Sequence, residues 1–292
     1  MSLIHIPTPP NFKWQDILNY LNRNVNECLH NVDDNRVTKV IDVNERPVFI
    51  QIRADDDSNL IVEVDKKIDE EMTTEVSNFI SHWFDLNSDM AKINTLLSRH
   101  KILKDIVTSQ LGLRLVRIHD LFEVLCWAII GQQINLSFAY TVKRNLVEAY
   151  GERFILNQNE YFTFPKPADV LKISDEAFVA MKFSRQKIRY IRVVSEKIQG
   201  GHWRQEELAN MSFDDCYAAL TSAVGIGAWS ANYVMMRCLG FQDAFPAGDA
   251  GLKIALKNIT GTRPTTDELI TESLVWSPYR SYAAFHLWRS LY

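Results

Sequence analysis

Residues 220–236 read LTSAVGIGAWSANYVMM. Upstream, Ser212 with Asp215 forms a capping-box signal, and Cys216, Ala219, Leu220 and Ala223 then follow at helical spacing. Gly225 and Gly227 break that helix. Trp229, Tyr233 and Met236 begin a second stripe, and Gly240 suits its C-cap. The pattern predicts helix, Val-Gly-Ile-Gly turn, helix. Two glycines so spaced permit a tight turn and a close backbone approach. The second helix starts directly after the turn, so its free amides and the loop amides form an anion site that suits a DNA phosphate. By spacing alone, a plain helix–helix turn reads equally well. A dinucleotide fingerprint is rejected, because that motif needs a strand before it and Cys216–Ala223 is helical.

Nine residues further on, Phe245–Leu256 reads FPAGDAGLKIAL. Asp249 follows a Pro and a Gly and precedes an apolar helical pattern, so it is a favoured N-cap. A helix N-terminus also favours a negative charge there. The two readings, cap and reactive acid, are compatible.

Outward from this block the chain is ordinary. It has 292 residues, 47% hydrophobic and 23% charged, which fits two or three domains with a sizeable core. The net charge of −4 counts mildly against nucleic-acid binding, although a local patch or backbone amides can serve on an acidic protein. Cys28, Cys126, Cys216 and Cys238 lie far apart with no CxxC pair, which argues against a zinc module or an iron–sulfur cluster and for reduced thiols in the cytoplasm. The scattered histidines show no metal-ligand spacing. MSLIHIPTPPNF lacks the basic start and apolar run of a signal peptide, and no stretch approaches 18 apolar residues, so no membrane contact is expected.

Residues 1–110 read as a small α+β domain. Pro47–Ala54 and Asn59–Asp65 alternate with the strand period and are joined as a hairpin by Asp55–Ser58, and Val37–Val43 suits a third strand. Val76, Phe79, Ile80, Trp83 and Phe84 recur at helical spacing. Residues 111–292 read as helical. Asp120 with Glu123 opens one helix, Gly131 interrupts it, Asn135 caps the next and Gly151 ends it. Residues 152–170 read as a loop with Phe and Pro.

The 220–236 block and PAGDAGLKIAL together resemble the helix-hairpin-helix superfamily of base-excision DNA glycosylases, most closely its DNA-3-methyladenine glycosylase II group. FEVLCWAIIGQQINLSFA, the tail WSPYRSYAAFHLWR and the amino-terminal α+β region agree. The resemblance implies an α+β N-terminal domain followed by an all-α helix-hairpin-helix glycosylase domain. It implies a monomer acting on double-stranded DNA that contains alkylated bases. Asp249 takes the position of the catalytic carboxylate. A fixed carboxylate stabilises the oxocarbenium-like sugar formed on N-glycosidic cleavage, and it orients or deprotonates the water. Alkylation at adenine N3 or guanine N7 makes the base a good leaving group, so no second acid is required. Trp229 stands where strand-cutting relatives carry a Schiff-base lysine, which implies a monofunctional enzyme.

By the same resemblance, Tyr233 and Trp288 line the base pocket with Trp229, while periodicity alone reads the three as core. Gly225, Gly227 and Ser230 meet the DNA backbone, and the hairpin-loop carbonyls hold a monovalent cation; no other cofactor is implied. Gln133 matches the residue that fills the gap left by an extruded base, although relatives often carry a bulkier apolar wedge there. Phe183–Ile191 departs from the pattern by lacking a loop glycine before its lysine. Arg185, Lys187 and Arg189 then read as phosphate ligands or as a solvated helix face.

Overall fold

The computed structural model describes residues 1–44, 46–55 and 59–291. The N-terminal part contains β1 (Ser2–Ile6), α1 (Trp14–Leu21), β2 (Asn31–Asp33), β3 (Arg36–Val43), β4 (Arg46–Ala54) and β5 (Leu60–Val64). Among the described residues these strands form an antiparallel sheet in the order β1-β5-β4-β3-β2. The expected pairing of β4 with β5 is present, with Ala54 opposite Leu60 and Ile50 opposite Val64. Three residues of the expected turn, Asp56, Asp57 and Ser58, lie outside the described residues. Alternation buries Val48, Ile50, Ile52, Leu60, Val62 and Val64 on one face. α2 (Glu70–Trp83) covers the sheet and seats Val76, Ile80 and Trp83 on it.

The chain then turns helical through α3 (Met90–Leu97), α4 (Lys101–Ser109), α5 (Leu121–Ile130) and α6 (Leu136–Tyr150). Asp120 opens α5 as expected, accepting from the Glu123 amide, but no reciprocal bond from the Glu123 carboxylate to the Asp120 amide is formed among the described residues. The Glu123 carboxylate instead accepts from Lys143 Nζ at 2.9 Å. Asn135 caps α6 as expected, accepting the Phe138 amide at 2.8 Å.

Residues 153–162, read as loop, form a two-stranded hairpin, β6 (Arg153–Leu156) with β7 (Asn159–Phe162). Its turn residues Asn157 and Gln158 both have positive φ, 50° and 66°. That is the geometry of the hairpin-forming primed turn, but Asn-Gln lacks the glycine that announces it in sequence. Phe49 of β4 packs edge-on against Phe154 and Tyr161, so this hairpin leans on the N-terminal sheet.

The remaining helices are α7 (Pro167–Val170), α8 (Asp175–Ala180), α9 (Arg185–Gln199), α10 (Gln205–Ala209), α11 (Phe213–Thr221), α12 (Ala228–Val234), α13 (Ala250–Thr260), α14 (Thr266–Ser273) and α15 (Arg280–Arg289). α12 runs on into a π-helical turn, Met235–Leu239, ended by Gly240 at φ 85° as the sequence suggests. α5 is buried against α9 and α12, and α15 against α13 and α4.

One apolar core runs through both parts. Two polar clusters sit at their junction. Asp85 accepts from Arg117 (2.7 Å), Ser88 (2.6 Å) and Tyr282 (2.9 Å). Lys143 bridges Glu27 of the N-terminal part and Glu123. Burial alone would raise the Glu27 carboxyl, but the Lys143 ammonium beside it holds it well below the usual carboxylate range. Among the described residues, no helix is long and apolar enough to cross a membrane.

Candidate active site

Asp249 is both the cap and the centre of the site. Its Oδ1 accepts the Leu252 amide at 2.9 Å, which closes the first turn of α13. The same oxygen accepts Trp288 Nε1 at 2.9 Å, and Oδ2 accepts Trp229 Nε1 at 3.2 Å. A carboxylate offers about four acceptor positions, and these donors fill three of them. Among the described residues, the open position is on Oδ2.

Local structure explains the convergence. The loop before α13 is folded by the Asp249 amide on Pro246 O (2.9 Å) and anchored to α12 by the Phe245 amide on Asn232 Oδ1 (2.9 Å). Arg280 grips Asp243 with Nε at 2.9 Å and Nη2 at 2.8 Å, which pins the start of α15 to the same loop. Trp229 lies at the start of α12 and Trp288 near the end of α15, so the acid is held between the hairpin and the tail. Gly251 makes this possible: a Cβ there would stand 2.9 Å from Asp249 Oδ1 and 3.3 Å from the Trp288 ring.

Tyr233 completes an aromatic wall. Its ring stacks on Trp229 (centroids 5.2 Å, planes 22° apart) and faces Trp288 at 6.0 Å. The fourfold spacing of Trp229 and Tyr233 on α12 produces the stack. Behind the wall, Trp127 Nε1 and Arg237 Nη1 donate to the Tyr233 hydroxyl at 2.9 and 3.1 Å. Sequence reasoning passed over both residues, although an Arg inside the apolar run VMMRCL was a visible signal. Tyr20 of α1 also reaches this region, 5.1 Å from Phe285 and beneath the Arg237 guanidinium.

The hairpin turn bears out its glycine. Gly225 has φ 99° and lies against Tyr190, where a Cβ would sit 2.2 Å from the ring. Gly227 is exposed and has open space around it. The Ser230 hydroxyl is turned inward, accepting Gln132 Nε2 at 3.2 Å, and the residue is 2% exposed. Gln132 also donates to Gly225 O at 2.9 Å, which ties the α5–α6 turn to the hairpin. Gln133, next in sequence, is exposed at that turn with φ 57°. Arg185 and Arg189 are exposed on α9, whereas Lys187 is drawn inward and donates to Ile130 O at 2.7 Å.

Among the loop carbonyls, Ala223 O accepts the Ile226 amide at 3.1 Å and Gly225 O accepts Gln132 Nε2 at 2.9 Å. Among the described residues, no cluster of His, Cys, Asp and Glu could hold a metal ion.

The chain is similar to known proteins along its whole length. Residues 3–120 match the AlkA N-terminal domain. The chain is 35% identical to a DNA-3-methyladenine glycosylase of Bacillus subtilis over 296 aligned residues, covering 100% of this chain and 98% of that one. A 3-methyladenine DNA glycosylase from Archaeoglobus fulgidus superposes with a TM-score of 0.86 at 20% identity, over 99% of this chain and 98% of that one. The 3-methyladenine DNA glycosylase of Schizosaccharomyces pombe in complex with abasic DNA gives a TM-score of 0.59 at 25% identity, over 68% of this chain and 96% of that one. Residues 126–280, which carry the hairpin, the acid and the start of α15, match the HhH-GPD superfamily of base excision DNA repair proteins, and the chain belongs to that family.

Proposed function

We propose that this chain is a monofunctional DNA glycosylase. It hydrolyses the N-glycosidic bond of purines alkylated at N3 or N7 in duplex DNA, acts as a monomer and leaves an intact abasic strand. The observation that carries the reading is the placement of Asp249 between two indole donors beside the Tyr233 ring, at the mouth of a hairpin of this family. The name of the Bacillus subtilis relative, which spans the whole chain, supports the substrate class.

The extruded base rests against Tyr233, Trp288 and Trp229, whose faces attract a cationic ring. The C1′–N bond breaks and its electron pair leaves with the base, which becomes neutral. The sugar becomes an oxocarbenium ion facing Asp249. Water adds at C1′ and loses a proton, and the open position on Asp249 Oδ2 can receive it. Trp229 carries no amine to compete with water, and Lys253, one turn into α13, donates to Thr266 at 2.8 Å. Gly225, Gly227 and the Ser230 amide hold the phosphate backbone. The hairpin-loop carbonyls would hold a monovalent cation, which would add positive charge there. Gln133 fills the gap left by the base.

The test is single-turnover incubation of wild type and Asp249→Asn with methylated duplex DNA, with released bases measured by mass. Wild type should free methylated purines and leave unbroken strands, and Asp249→Asn should bind DNA but release about a hundredfold less, or lower still. A wild type that binds DNA and frees no base from any alkylated duplex would reduce the chain to a damage-binding relative.

A further inference from the structure

Arg237 is 4% exposed, and its guanidinium cannot lose its proton. Among the described residues its donors go to Val116 O (3.0 Å) and to the Tyr233 hydroxyl (3.1 Å), and no carboxylate pairs with it. Three aromatic rings also surround it, with Cζ 5.5 Å from the Tyr233 ring centroid, 5.6 Å from Tyr20 and 5.9 Å from Phe285, and the Arg23 guanidinium, itself 3.8 Å from the Tyr20 centroid, adds a second positive charge nearby. A permanent, unneutralised positive charge therefore sits behind the wall that receives the base. On the other side of that wall Trp229 and Trp288 hold Asp249. The site thus has a cation at its rear and an anion at its sugar end.

We propose that Arg237, held with Trp127 on the Tyr233 hydroxyl, is a positioning residue whose charge drives bond cleavage: it repels the positive charge of an alkylated base and is relieved when that charge passes to the sugar beside Asp249. The proposal rests on the base-excision reading above. In a purine methylated at N7 the ring carries the positive charge. Cleavage leaves the C1′–N9 electron pair on the base, so one unit of positive charge moves from the Tyr233 side to the Asp249 side. Arg237 disfavours the starting distribution more than the final one, and the difference lowers the barrier. Its repulsion also offsets the attraction of the aromatic faces for a cation, so tight ground-state binding is not the use of this pocket. Trp127 and Arg237 share one phenol oxygen, which fixes the distance of the charge from the ring.

The experiment uses the full chain and two kinds of duplex. In the first, 7-methylguanine is on ordinary deoxyribose, and its release is timed under single turnover. In the second, a 2′-fluoro sugar blocks cleavage, and binding of the cationic 7-methylguanine is compared with that of its neutral isostere, 7-methyl-7-deazaguanine. Arg237→Met should slow release at least about tenfold while Arg237→Lys, which keeps the charge, stays near wild type. Wild type should bind the neutral isostere at least as tightly as the cation, and Arg237→Met should prefer the cation. Equal release by wild type and Arg237→Met, or a strong wild-type preference for the cation, would overturn the proposal. If Arg237→Met does not fold, the wild-type ratio of the two fluorinated duplexes decides alone. Wild type that releases no 7-methylguanine and binds neither duplex better than undamaged DNA would instead remove the base-excision reading.

Discussion

The carboxylate of Asp249 shows how one side chain meets two demands. As a cap it must accept the Leu252 amide, and as the proposed acid it must leave an oxygen open to the sugar. Its three donors fall two on Oδ1 and one on Oδ2, so both demands are met. The cap was legible in PAGDAGLKIAL from spacing alone. The indole partners were not, because Trp288 lies 39 residues away and only the folded tail brings it near. Gly251 separates structure from chemistry in a way that can be measured. Ala at this second helical position should stabilise α13 by about 0.5–1 kcal/mol on propensity. Its methyl would stand 2.9 Å from Asp249 Oδ1, so the acid must shift. Gly251→Ala should therefore hold or raise the melting temperature while base release falls about tenfold; unchanged release would show that the acid tolerates displacement.

At the scale of elements, the hairpin and the α5–α6 turn act together. Gln132 bridges them through Gly225 O and Ser230, and Tyr190 of α9 fills the space that Gly225 leaves. The helix–turn–helix pattern predicted α11 and α12 because glycine positions constrain backbone directly. The β6–β7 hairpin escaped because strands of four residues each, joined by Asn-Gln, carry too little periodicity to be seen. Gly225→Ala meets both positive φ and the Tyr190 ring. It should cost about 1–3 kcal/mol in denaturant unfolding and weaken DNA binding. If Tyr190→Ala in the same chain restores neither stability nor binding, the Tyr190 contact is not the cause.

Across the whole molecule, the junction between sheet and helices sets the response to acid. His286, 1% exposed on α15, donates from Nδ1 to Gln110 Oε1 at 2.9 Å, and burial pushes its pKa down to about 4. His30, beside α1, is pushed down to about 4, again chiefly by burial. Between pH 6.5 and 4 the unfolded chain binds protons that these folded imidazoles refuse, so stability falls as pH falls, by about 1.4 kcal/mol per pH unit for each such group. Glu27, held low by Lys143, adds to the loss below the ordinary carboxylate range near pH 4.5. Melting temperature should drop steadily from pH 7 to pH 5, and His286→Gln should flatten the slope; a slope unchanged by that substitution would assign acid lability elsewhere. None of this could be read from the sequence, where His30 and His286 are two scattered imidazoles and the interface that buries them does not yet exist.

The pairing of indoles with the acid has an optical side. The chain has seven tryptophans. Two of them, Trp229 and Trp288, hydrogen-bond Asp249, and a third, Trp127, bonds the Tyr233 hydroxyl. A base stacked against this wall must alter the surroundings of all three chromophores at once, so the emission of the unlabelled protein becomes a direct reporter of nucleotide extrusion. Time-resolved quenching on mixing with lesion-containing duplex would then follow entry of the base separately from its release, without any dye attached to the DNA.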